Sequence, residues 1–181
     1  NRGQVLYRVA EMLEGRRAEL ATLLSDAGLG TKAAEEEVEA SIDRWVWYAG
    51  WSDKVHHVLG TVNPVAGPYF NFTVPEPTGV VGLVASGRPA LLGLVSRLVP
   101  AIVGGNAVVV VTGGDASLVA VTLGEVLATS DVPAGVVNVL TGERAELLPW
   151  LISHLDVNAV DLTGADDDLE AEVVAEAAAN V

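Results

Sequence analysis

The chain has no cysteine among its 181 residues. That excludes disulfides, thiolate metal sites and a thiol nucleophile within it. Lysine occurs only at Lys32 and Lys54, both in the N-terminal part. The later part therefore offers no lysine for a Schiff base or for a clamp on phosphate or ribose. Basic charge is scarce overall: 10 Lys and Arg stand against 24 Asp and Glu, a formal net charge of −14. Nucleic acid is excluded as an expected partner, because phosphate binding needs clustered cations. No unbroken apolar run reaches the roughly 20 residues of a membrane helix. The best stretch, Leu91 to Val111, is interrupted by Ser96, Arg97, Pro100 and the turn at 104–106. No signal peptide is visible at the start, and the expected location is the cytoplasm. The chain begins at Asn1 rather than Met and is expected to be a piece of something longer.

What is present is enough for a sizeable core. Half of the residues are hydrophobic and 19% are charged, which excludes a disordered chain. Residues 4–25 show helical periodicity through Val5, Val9, Met12 and Leu13, continued by Leu20, Leu23 and Leu24. A second helix is predicted over 33–57, with Val38, Ile42, Trp45 and Ala49 on one stripe. Glu35, Glu36 and Glu37 read as its solvated start, favoured there by the helix dipole. The Gly- and Pro-rich stretch 60–68 is a loop. Residues 69–75 alternate, with Phe70, Phe72 and Val74 on one side, and predict a strand with one buried face.

After Gly79 the pattern changes. Short apolar runs at 80–85, 107–111, 136–140 and 159–162 read as strands. Helical stretches at about 89–103, 116–129, 143–154 and from about 167 separate them. That alternation predicts a Rossmann-like parallel sheet with helices on both faces, preceded by two helices and an extended arm. The expected division is 1–78 for the helices and arm and 79–181 for the α/β domain.

Ligands of such sheets bind outside the carboxyl ends of the strands. Here those ends are 85–89, 112–115, 141–144 and 163–168. The fingerprints G-x-G-x-x-G, G-x-x-x-x-G-K-S/T and G-x-S-x-G are all absent. Ser86 follows a strand, a placement that suits a nucleophile, but no base accompanies it; a turn serine capping the next helix is the reading taken. Arg88 reads either as an anion ligand at a helix head or as a solvated turn residue, the second being favoured, and Arg144 has the same ambiguity. Asp166, Asp167 and Asp168 read as helix caps that would repel a pyrophosphate. His56, His57 and His154 lack the spacing of a metal site. Trp45 belongs to the apolar stripe; Trp47 and Trp51 read as an interface or as core or helix packing, the second being favoured. No catalytic residue and no metal site is assigned.

The segments "EPTGVVGLVA", "SRLVPAIVGGNAVVVV", "DVPAGVVNVLTG" and "VNAVDLTGA" resemble the NAD(P)-binding half of the aldehyde dehydrogenase superfamily. "RGQVLYRVAEMLEGRRAELATLL" and "ASIDRWVWYAGWSDKV" are similar to its leading helices. The resemblance covers nearly the whole chain. It implies a P-W-N-F-P motif after the first strand, whose Asn serves the oxyanion; Arg88 stands there instead. It implies K-P-A-E after the next strand, whose Lys and Glu hold the adenosine ribose; Val111 and Gly114 replace them. It implies F-T-G-S-x-x-x-G at the pyrophosphate. Gly164 is kept, but Ala165 replaces the serine and Leu169 the last glycine. The family's catalytic Glu and Cys fall beyond this segment. Strand 69–75 resembles part of the family's oligomerisation sheet.

The resulting expectation is a degenerate, catalytically silent module with a structural or subunit-interaction role and no bound cofactor. Its partner would be another copy of itself or an active aldehyde dehydrogenase subunit. The alternative is part of an active NAD(P)-dependent enzyme that oxidises an aldehyde to an acid, with its catalytic Cys outside the segment.

Overall fold

The structure, a computed structural model, describes residues 1–165, 173–175 and 177. The helical stretch predicted over 4–25 is two helices, α1 (Arg2–Gly15) and α2 (Arg17–Leu24). They divide at Arg16, whose backbone leaves helical geometry (φ −108°, ψ 15°). Its guanidinium meets Glu19 at 2.9 Å and the distant Glu125 at 2.7 Å, tying the break to a later part of the chain. A wide turn follows at Ser25–Leu29, with Gly28 at φ +89°. The helix predicted over 33–57 stops at Gly50, a poor helix former: α3 spans Thr31–Ala49, and a short α4 spans Val55–Leu59.

The arm departs most from expectation. Only Phe72–Thr73 (β2) forms strand, antiparallel to Thr61–Val62 (β1). No face of it is buried: Tyr69 is 77% exposed, Phe70 76% and Phe72 56%. Side chains hold the hairpin, Asn63 Nδ2 donating to Asn71 Oδ1 at 3.0 Å and Thr73 Oγ1 at 2.8 Å. Phe70 and Phe72 lean on each other with ring centroids 5.3 Å apart.

Beyond Gly79 the predicted alternation holds. Strands β3 (Val80–Val84), β4 (Ala107–Thr112), β5 (Val137–Thr141) and β6 (Val157–Asp161) form one parallel sheet in the order β5-β4-β3-β6. Between them run α5 (Ala90–Val103), α6 (Ala116–Ala128) and α7 (Arg144–Ile152). The pleat sorts the strand residues between two cores. Leu83, Ala85, Val108 and Val110 join α1–α3, α5 and α6 in the first. Val84 and Val111 face the other way, against Leu148, Leu151, Ile152 and Val173. The expected helix from about 167 falls mostly outside the described residues. Among the described residues no helix is long and apolar enough to cross a membrane.

The strand order fixes where a site lies. The chain steps outward from β3 to β4 to β5, then crosses back to place β6 on the other side of β3. The order therefore reverses between β3 and β6, and the crevice outside their carboxyl ends is the switch point of the sheet.

Candidate functional site

Two strand exits frame this crevice: residues 85–86 after β3 and residues 162–164 after β6. Gly164 lies directly on the β3 exit. A Cβ at this position would overlap Val84 O, Ala85 C and Ser86 N, so only glycine fits. Ala165 turns back, its N–H donating to Leu162 O at 2.7 Å. Arg144, the first residue of α7, crosses between the exits. Its Nη2 donates to Ala85 O at 2.8 Å and its Nη1 to Gly164 O at 3.2 Å. Its Nε is buried with no partner among the described residues. Arg144 is therefore engaged by backbone carbonyls and half-buried rather than set in a solvated turn.

Arg88 is exposed as a turn residue would be, yet it is not free. Its Nη2 donates to Ala27 O at 2.8 Å, in the wide turn after α2. Gly28 leaves room for that approach: it adopts the left-handed region, and a Cβ added there would stand 3.3 Å from Arg88 Nη2. Ser86 does not cap α5; its Oγ donates to Pro89 O at 3.3 Å. Glu37 is the cap. Its side chain is buried, and Oε1 accepts from Leu91 N at 2.7 Å and Leu92 N at 3.1 Å. The expectation of a solvated helix start therefore fails for this one of the three glutamates. It lies on the buried stripe with Ala34, Val38, Ser41 and Trp45, facing the free N–H groups of another helix.

The exit of β4 carries no charged side chain before Asp115. Val111 is fully buried in the second core. Thr112 is fully buried too, its Oγ1 with no partner among the described residues. Gly114 is exposed, at φ +60°. Beside it opens a cleft of about 300 Å³, lined among others by Leu24, Ala27, Glu37, Arg88 and Asp115. Asp166, Asp167, Asp168 and Leu169 lie outside the described residues.

Sequence reading missed one further pair. Arg97 of α5 grips Asp161 at the end of β6 with Nη1–Oδ distances of 2.8 and 3.2 Å. Burial pushes the Asp161 carboxyl up, but hydrogen bonds from Thr163 and the Arg97 guanidinium outweigh it and hold the group below its ordinary value. A carboxyl depressed by folding contributes stability that is full above its unfolded pKa, about 3.9. That contribution is lost as pH falls through the lower folded value. Asp161→Asn is expected to flatten this part of the acid limb in melting curves taken from about pH 5 to pH 3. Parallel curves for variant and parent would contradict it.

His56 and His57 are exposed on α4, and His154 Nδ1 accepts from Asp156 N at 3.2 Å. Among the described residues no group of three or more His, Cys, Asp or Glu is placed to hold a metal. Trp45 is in the core as expected. Trp47 is instead 55% exposed and meets Tyr48 edge-on with centroids 4.7 Å apart.

The whole chain, residues 1–181, matches the model of the aldehyde dehydrogenase family. The chain belongs to the aldehyde dehydrogenase family. It is similar to Omega-crystallin of Enteroctopus dofleini, 34% identical over 167 residues, covering 92% of this chain and 33% of that protein. Retinal dehydrogenase 2 of Homo sapiens is 32% identical over 168 residues, with 92% and 32% covered. Among solved structures, the HpcC of Thermus thermophilus superposes with a TM-score of 0.91 at 28% identity, over 99% of this chain and 34% of that one. The glyceraldehyde-3-phosphate dehydrogenase GapN of Methanocaldococcus jannaschii, solved with NADP, gives 0.89 at 28% identity, over 97% and 39%. The aldehyde dehydrogenase family is NAD(P)-dependent. This chain spans about a third of the length of the relatives it matches.

Proposed function

We propose that this segment is a degenerate aldehyde dehydrogenase module, silent towards NAD(P) and aldehydes, that serves in subunit association. The observation that carries the reading is the exit of β4. The family resemblance puts the two ribose-holding side chains at 111 and 114. Val111 is turned wholly into the apolar core, and Gly114 has no side chain to offer. Arg88, at the oxyanion position, has spent one of its donors on Ala27 O. The described residues therefore do not fit NAD(P) in the family's manner, and no catalytic step is derived through it. Losing charge-assisted contacts weakens binding by about 1.5–3 kcal/mol each, so the loss of two is enough to move a micromolar ligand towards millimolar.

The exposed arm supports the association role. Val62, Tyr69, Phe70, Phe72 and Val74 present apolar surface that the described residues leave exposed, and apolar patches of this kind mark contact sites. The partner is another copy or an active aldehyde dehydrogenase subunit. The double variant Phe70→Ser, Phe72→Ser is expected to lower the mass in sedimentation to that of the single chain. An unchanged assembly would contradict the role.

The alternative is a segment of an active NAD(P)-dependent aldehyde dehydrogenase. The family's cofactor dependence and the one-third coverage favour it. It requires NAD(P) to be held largely by backbone groups, and it predicts micromolar cofactor binding.

A further inference from the structure

The crevice between β3 and β6 has an occupant of its own. We infer that Arg144 decides what the crevice admits, its guanidinium filling the switch point and closing it to a dinucleotide. This rests on the reading that the module no longer grips NAD(P), and it assigns a physical barrier in addition to the missing contacts.

Three observations carry it. The first is position: the guanidinium bonds to Ala85 O and Gly164 O, on the two strand exits that bound the crevice. These exits are where ligands of open parallel sheets lie. The second is that helix energetics do not put it there. Arg144 is the first residue of α7, where the helix dipole disfavours a cation. The third is its desolvation. Nε is buried with no partner among the described residues, a cost that an arginine left in solvent does not bear. The two carbonyl contacts must offset both penalties, so the side chain is held in the crevice by what it touches there. A nucleotide entering between the strand exits would have to expel this cation.

The test compares NAD binding by calorimetry in the unchanged protein and in Arg144→Ala, with folding checked by circular dichroism. Arg144→Ala is expected to bind NAD at least tenfold more tightly than the unchanged protein. Equal affinities would overturn the inference. Methylguanidinium serves as a probe of the vacated seat, including in a variant whose fold is weakened. At millimolar concentration it is expected to raise the melting temperature of Arg144→Ala and leave the unchanged protein where it was. No thermal response of the variant would likewise overturn the assignment. Micromolar binding by the unchanged protein would defeat the silent-module reading and the closure by Arg144 together, whereas equally weak or absent binding by both proteins would overturn the closure alone.

Discussion

Trp45→Ala is expected to destabilise the chain by about 3–5 kcal/mol, the range for truncating a fully buried large aromatic. Trp45 is completely buried on α3, in the core that joins α1–α3 to α5, α6 and the sheet. Alanine would leave a cavity at the junction of the helical layer and the α/β layer, and helices packed on both sides limit collapse around it. Its Nε1 is buried with no hydrogen-bond partner among the described residues. An unpartnered N–H in a core is a cost rather than a contribution. Trp45→Phe removes that group together with part of the volume, so it is expected to cost much less, on the order of 1–2 kcal/mol. Urea denaturation of the three proteins measures both. A Trp45→Ala loss under about 1 kcal/mol would mean that the two layers do not share a core.

Glu37→Ala is expected to cost about 3 kcal/mol, because one carboxylate serves two backbone donors of α5 and charge-assisted bonds contribute about 1.5–3 kcal/mol each. The bond to Leu91 N is buried, so its loss leaves a donor without water at the head of the helix. The bond to Leu92 N is only partly buried, and the adjoining cleft lets solvent replace it. That limits the total. Glu37→Gln keeps an acceptor in place while removing the charge that complements the helix dipole, and is expected to cost about 1 kcal/mol. The same denaturation curves separate the two variants. Equal losses would show that charge, not the presence of an acceptor, dominates the cap.

The fold was largely legible because its signals are local. Four short apolar runs, separated by helical periods and punctuated at 104–106, 133–135 and 141–142, specify parallel crossovers almost by themselves. The arm misled for an instructive reason. Alternation of Phe70, Phe72 and Val74 tells which residues share a face, not whether anything covers that face. Glu37 was readable in principle, since it falls on the stripe with Val38, Ser41 and Trp45. Three adjacent glutamates obscured it. Arg144 was not readable in the same way. Its role depends on three chain segments meeting at one end of the sheet, at separations of 20 and 59 residues, and no local pattern encodes that meeting. The Arg97–Asp161 pair is of the same kind. The candidate cofactor positions came from family resemblance rather than from residue chemistry. The structure then gave Val111, Arg88 and Gly164 surroundings that the motif comparison does not contain.

The measurement that bears most directly on the account is calorimetric titration of the unchanged protein with NAD and with NADP, carried to millimolar cofactor. No saturable heat is expected from either. Saturation near micromolar by one of them would contradict it, and would make this segment the working cofactor half of an aldehyde dehydrogenase.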